Sequence, residues 1–314
     1  MEYVTLGRTG ETVSQLGLGG GGRSRLGHSA GLETADRVAI VTRALELGIT
    51  YIDTAKSYGT EEVVGQALRE ARPEKVFIST KAGSYMNDER VLTPTEVAER
   101  IEESLRKLGR DTIDLYNFHG VLPSQYQATR DELVGELIRQ REKGNIRFLG
   151  ITERFNADPA HAMLSEAVAD DCWDVMMVGF NVLNQSARQR VLVHTKARNI
   201  ATQAMFVVRN AFSKPDRLAE VVAELVSQGH VDPDEMDLAD PLGFLLDDGV
   251  ATSLADAAYR FCRDEPGIDI VLSGTGDIAH LEANVESMSR PPLPQTVRDR
   301  LVRIFDRVDN VTAE

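Results

Sequence analysis

Four residues in the N-terminal half have types and spacing suited to proton chemistry on a bound oxygen: Asp53, Tyr58, Lys81 and His119. Asp53 closes the run Tyr51-Ile52-Asp53, and Tyr58 follows five positions later beside Gly59. Lys81 closes Ile78-Ser79-Thr80-Lys81, and His119 closes Asp114-Leu115-Tyr116-Asn117-Phe118-His119. A phenol has an ordinary pKa of about 10 and so keeps its proton at neutral pH. A neighbouring lysine cation favours the phenolate and eases proton transfer. A carboxylate can pair with that lysine, and an imidazole can hydrogen-bond an oxygen that gains charge.

For these groups to meet, successive extended runs must end at one mouth. Candidate strands lie at 15–19, 51–53, 76–80, 113–118, 147–151, 174–178, 200–204 and 269–272, most of them starting 25 to 37 residues apart. That is the spacing of βαβ units. The intervening segments carry helix signals. Thr93-Pro94-Thr95-Glu96 reads as a capping box with proline at the first helical position, followed by a stripe of Val97, Ile101, Leu105 and Leu108 and by Gly109 as a stop. Segment 34–48 reads similarly through Val38, Val41 and Leu45, and segment 131–143 ends at Gly144. Eight strands, each followed by a helix, predict a closed (β/α)8 TIM barrel, which carries catalytic groups at the C-terminal ends of its strands. A doubly wound open sheet is the alternative. Residues 1–314 read as a single domain with a long insertion between strands seven and eight, whose starts lie about 69 residues apart. Helices are expected within it at 217–227 and 254–263.

A literal G-x-G-x-x-G stands at Gly17, Gly19 and Gly22. A dinucleotide fingerprint opens directly into a helix, but the next helix signal here begins near residue 34. The run, Gly20 included, therefore reads as a strand end where backbone must approach something closely.

Lys and Arg total 35 against 49 Asp and Glu, a net charge of −14. Segment 231–248 holds seven acidic residues and no Lys or Arg, half of that excess. Such acidity argues against nucleic acid or an anionic membrane as the main partner. No apolar run is long enough to span a membrane, and the opening MEYVTLGRTG has no signal stretch, so a cytoplasmic location is expected. Cys172 and Cys262 form no disulfide framework, the six histidines show no metal-ligand spacing, and no G-x-S-x-G occurs. No metal is expected.

The runs YIDTAKSYG, VFISTKAG and IDLYNFHG resemble, in order, three signatures of the aldo-keto reductases. VTLGRTGETVSQLGLG and VLSGTGDIAHLEAN resemble that family's N-terminal and phosphate-binding regions, so the resemblance covers about residues 3–290. It implies a barrel oxidoreductase in which Asp53, Tyr58, Lys81 and His119 form a catalytic tetrad. Tyr58 would be the general acid/base, Asp53 would pair with Lys81, and His119 would orient the carbonyl oxygen. The hydride would pass between a nicotinamide cofactor, NADP(H) preferred and NAD(H) not excluded, and a small carbonyl or sugar substrate. The alternatives are an NAD-dependent sugar dehydrogenase and a cofactor-binding auxiliary subunit without turnover.

Departures from the family pattern cluster on the cofactor. Thr152-Glu153 stands where the family has Ser-Asn for the carboxamide; Thr152 keeps a hydroxyl, whereas Glu153 can only accept. Met177, four residues before Asn181, replaces a Gln, and Phe206 falls in the ring-stacking region. Segment 272–279 lacks Lys and Arg, and His280, four residues before Asn284, stands where Arg is common. A neutral histidine grips phosphate less firmly than Arg. Backbone N–H groups of Gly274, Thr275 and Gly276 at a helix start could still bind phosphate, with Arg209 and Lys214 folding over it. Asp277, aimed at the ribose, would favour the unphosphorylated cofactor. The expected cofactor contacts are thus Gly20, Thr152, Glu153, Met177, Phe206, Arg209, Gly274, Thr275, His280 and Asn284, with Tyr85, Met86, Leu122 and Tyr126 lining the substrate rim.

Overall fold

A computed structural model of the chain describes residues 1–87 and 89–314. Eight parallel strands close into a barrel: β1 (Leu16–Gly19), β2 (Tyr51–Asp53), β3 (Phe77–Ala82), β4 (Ile113–Val121), β5 (Ile146–Glu153), β6 (Val175–Gly179), β7 (Ala201–Met205) and β8 (Ile270–Ser273), with β8 pairing back onto β1. The helices that return the chain from strand to strand are α1 (Thr34–Glu46), α2 (Glu61–Ala71), α3 (Pro94–Leu108), α4 (Val134–Glu142), α5 (Ala162–Ala167), α6 (Val193–Ala197), α7 (Leu254–Arg263) and α8 (Ile278–Ser289). The expected barrel is therefore the observed one, and the open sheet is excluded.

The capping box on α3 forms as its residues predict. The Thr93 hydroxyl accepts the Glu96 N–H at 3.3 Å, and Glu96 accepts the Thr93 N–H at 2.7 Å. Gly109 ends the helix at φ +63°, and Val97, Ile101 and Leu108 are buried.

Strand alternation sets what the barrel encloses, because inward positions recur every second residue. The lowest layer is apolar: Tyr51, Phe77, Leu115, Val175, Ala201 and Ile270, closed from below by Leu6 and Val13. Those two come from an N-terminal hairpin, Tyr3–Thr5 with Thr12–Ser14, which the sequence did not announce because three-residue strands are too short to show a period. Two residues further along, four of the inward positions are polar and buried, Asp53, Ser79, Asn117 and Gln203, while Met177 and Leu272 stay apolar. Strands β3 and β4 run past their expected ends. Lys81 pairs with Asn117 and Ala82 with Phe118, so Lys81 and His119 project from ladder rather than loop.

The long connection from β7 to β8 contains helices Asn210–Ser213 and Pro215–Ser227 and three short turns before α7. Its acidic stretch packs on the last helix, Gln295–Phe305, with the Arg300 guanidinium 3.9 Å from the Phe244 ring centre and Arg303 bonded to Glu235. The final residues return over the mouth, where Asn184 holds the Val311 carbonyl at 2.9 Å and Arg217 the Glu314 carbonyl at 2.7 Å. Among the described residues no helix is long and apolar enough to cross a membrane.

Candidate active site

Lys81 is fully buried, and its Nζ lies 2.6 Å from both carboxylate oxygens of Asp53. It also donates to the Thr54 carbonyl at 2.9 Å, and Ser79 Oγ donates to Asp53 at 3.0 Å. These short contacts keep two charges in a site that burial alone would neutralise. Burial pulls the Lys81 pKa down, but Asp53 and Tyr58 more than offset it and hold the ammonium above its usual range. The Nζ stands 5.0 Å from the Tyr58 ring centre.

The Tyr58 hydroxyl lies 3.3 Å from His119 Nε2, and Ser57 Oγ lies 3.4 Å from Nδ1. The two rings meet edge to face at 5.3 Å. Burial, helped by the Lys81 and Arg154 cations, lowers the His119 pKa to about 3, so the imidazole is neutral at physiological pH. Tyr58 corrects an expectation. Burial raises its pKa above the ordinary value of a phenol, outweighing the downward pull of Lys81 that was anticipated and a smaller one from Arg209. It therefore stays protonated as an acid, not poised as a phenolate.

Asp53, Tyr58 and His119 open into a cavity of about 990 Å³. It runs past Thr152, Met177, Met205 and Phe206 to the Gly274–Gly276 turn, then into the groove between α7 and α8 beside His280, Asn284 and Arg290. The turn is close-packed: a Cβ on Gly276 would stand 2.7 Å from the Gly27 backbone, so only glycine fits. Thr152 Oγ accepts the Gly120 N–H at 2.7 Å, which leaves its own hydrogen to donate. Elongated shape, backbone amides at the bend and a hydroxyl donor near the tetrad fit an extended dinucleotide. The cations on the wall are compensated. Arg209 pairs with Glu314 at 2.6 Å, Arg23 with the same carboxylate at 3.4 Å, and Arg290 with Glu286 at 2.7 Å.

Of the expected residues, Asp53, Tyr58, His119, Thr152, Met177, Phe206, Arg209, Gly274, Thr275, His280 and Asn284 line this one cavity, with Lys81 directly beneath. Two do not reach it as anticipated. Gly20 faces β2, donating to the Asp53 carbonyl at 2.6 Å with Thr60 where a Cβ would go, while Gly19, Gly21 and Gly22 form the wall. Glu153 touches the wall only through its backbone. Strand β5 continues through it, which turns its side chain outward, and that side chain has 0% exposure. Its carboxylate accepts the Gly179 N–H at 2.7 Å and faces His161, so it is not presented to a carboxamide. Asp277 caps α8 by accepting the His280 N–H at 2.8 Å rather than reaching for a ribose. Tyr85 and Met86 sit in a two-residue hairpin, and Tyr126 is buried against Trp173 and Asp170; neither these nor Leu122 lines the cavity. Met205, beside Phe206 at the end of β7, also lines the wall, and Phe155 and Glu314 line it without having been anticipated from the sequence.

The model of the aldo/keto reductase family matches residues 15–305. The chain is 27% identical over 300 residues to the aldo-keto reductase YhdN of Bacillus subtilis, covering 90% of this chain and 87% of that one. It is 28% identical over 223 residues to the NADH-specific methylglyoxal reductase of Escherichia coli, covering 65% and 66%. The holo form of an aldo-keto reductase from Bacillus halodurans superposes with a TM-score of 0.71 at 23% identity, covering 97% of this chain and 96% of that one, a likeness of fold. With a family match over nearly its whole length and an eight-stranded parallel barrel to carry it, this chain belongs to the aldo/keto reductase family.

Proposed function

We propose that the protein interconverts a small aldehyde or ketone with its alcohol, using Tyr58 as general acid in reduction and general base in oxidation. The observation that carries this reading is the Tyr58–His119 pair at 3.3 Å, set beside the buried Lys81–Asp53 ion pair in a cavity of about 990 Å³. When bound, a nicotinamide cofactor supplies the hydride. Tyr58 gives its proton to the oxygen on which charge develops, and its burial keeps that proton in place until then. Lys81 stabilises the phenolate left behind, and its fixed contacts to Asp53 and Thr54 mean that no reorganisation is needed at that moment. Neutral His119 directs the carbonyl oxygen toward Tyr58 by hydrogen bonding without competing for the proton.

For the cofactor, the reading shifts from NADP(H) toward NAD(H). A 2′-phosphate needs an uncommitted cation, whereas Arg290 in the distal groove is held by Glu286 and lies 3.9 Å from Asp256. The relative named as NADH-specific supports the same preference. The substrate is read as a small polar carbonyl, since glycines, His119 and Arg154 line the cavity beside Tyr58. Titrating the protein with NADH and with NADPH tests the cofactor reading, and tighter binding of NADPH refutes it. Steady-state turnover of a carbonyl panel, collapsing in Tyr58→Phe, tests the reaction. Tight dinucleotide binding with no turnover would favour the auxiliary-subunit alternative.

A further inference from the structure

We infer that Glu153 and His161 act as one positioning unit, holding the aromatic wall that receives the nicotinamide ring; this rests on the reductase reading above. Glu153 Oε1 accepts the Gly179 N–H at 2.7 Å, tying the end of β5 to the end of β6 beyond their last ladder pair, Thr152 with Met177. Both carboxylate oxygens lie 3.0 Å from His161 Nδ1. A carboxylate only accepts, so Nδ1 carries the shared hydrogen. Burial raises the Glu153 pKa, and its contacts to His161 and the Gly179 N–H pull against that rise.

His161 is fully buried and stands at φ +60°, a conformation that side chains other than glycine rarely adopt and that persists only where surroundings dictate it. That turn lays the imidazole flat on Phe155, with ring centres 5.4 Å apart and planes 15° apart. Phe155 fills the space that Gly179 leaves open, since a Cβ on Gly179 would fall inside its ring. It then presents its edge to Phe206 at 5.2 Å and 78°. Phe155 and Phe206 both line the cavity, next to Thr152 and Met177. The chain of contact thus runs from a buried carboxylate, through an imidazole and two aromatic rings, to the cavity wall beside Thr152 and Met177. Among the described residues His161 Nε2 has no hydrogen-bond partner, so the side chain's polar contact passes through Nδ1.

The test compares His161→Phe, which keeps a flat ring but deletes the donor, with His161→Asn, which returns an N–H near the Nδ1 position. The readouts are the NADH dissociation constant from the change in nucleotide fluorescence, and kcat and KM separately. Loss of one buried hydrogen bond corresponds to about a tenfold change in a dissociation constant. His161→Phe is expected to weaken NADH binding by about that factor with kcat nearly unchanged, and His161→Asn to recover most of it. If His161→Phe does not fold, Phe155→Leu removes the stacked ring while leaving the Glu153 bond, and the same weakening is expected. A folded His161→Phe or Phe155→Leu that binds NADH as tightly as wild type overturns the inference, as does an Asn variant that recovers nothing; either result leaves the reductase reading standing. Wild-type protein that binds no nicotinamide dinucleotide overturns both together.

Discussion

The two ends of the cavity solve opposite electrostatic problems in a chain of net charge −14. At the tetrad end, charge is buried and paired, with Lys81 0% and Asp53 4% exposed at the side chain. At the distal end, charge is open to solvent and already spoken for, with Arg290 31% and Glu286 67% exposed. A pair sealed from water keeps most of its Coulomb interaction, whereas an exposed pair is screened and weak. The contrast assigns fixed chemistry to one end and adjustable selectivity to the other. The excess acidity of 231–248 bears on neither, because that segment packs on the last helix rather than on the cavity.

The comparison breaks most visibly at Lys81. Lys81→Met strands the Asp53 carboxylate in a dry site, and removal of one partner from a buried pair costs about 3–5 kcal/mol. A large drop in the denaturation midpoint is expected along with loss of turnover. Adding Asp53→Leu should recover stability without activity. A Lys81→Met protein as stable as wild type would show the pair to be solvated after all.

A smaller effect comes from pH. Folded His119 is held neutral down to about 3, while the unfolded chain takes up its proton near the ordinary histidine value of about 6.5. Below that value the unfolded state binds more protons, so stability falls as pH drops from about 6.5 toward 3. His119→Gln should flatten that slope. An unchanged slope places the acid sensitivity elsewhere.

Smallest is the distal end. His280→Arg adds a cation to a groove where Arg290 is already held by Glu286, and about a tenfold gain in NADPH affinity with NADH binding unchanged is expected from one charge-assisted contact. Equal gains for both nucleotides would mean that His280 does not face the 2′ position.

How much of this was legible in the sequence follows the same divide. The barrel and the gathering of Asp53, Tyr58, Lys81 and His119 were, because strand spacing and the residue types at three successive strand ends are local features that parallel pairing carries directly into space. The outward turn of Glu153 was not. One more residue of strand reverses a side chain's face, and only the ladder reveals where β5 stops. His161 and Phe155 meet Glu153 through a left-handed turn that no glycine marks. The Arg209–Glu314 pair joins positions 105 apart through a tail with no periodic signal. The direction of the Tyr58 shift depended on depth of burial, which residue spacing does not encode.

Everything proposed for the reaction depends on proton transfer by the Tyr58 hydroxyl. The most direct measurement is the rate of NADH consumption by wild type and Tyr58→Phe, side by side over a panel of small carbonyls, with NADH affinity measured in parallel. General acid catalysis of this kind contributes about 10²–10⁴-fold, so a fall of that order with unchanged NADH binding is predicted. A Tyr58→Phe enzyme that retains wild-type turnover would contradict the account.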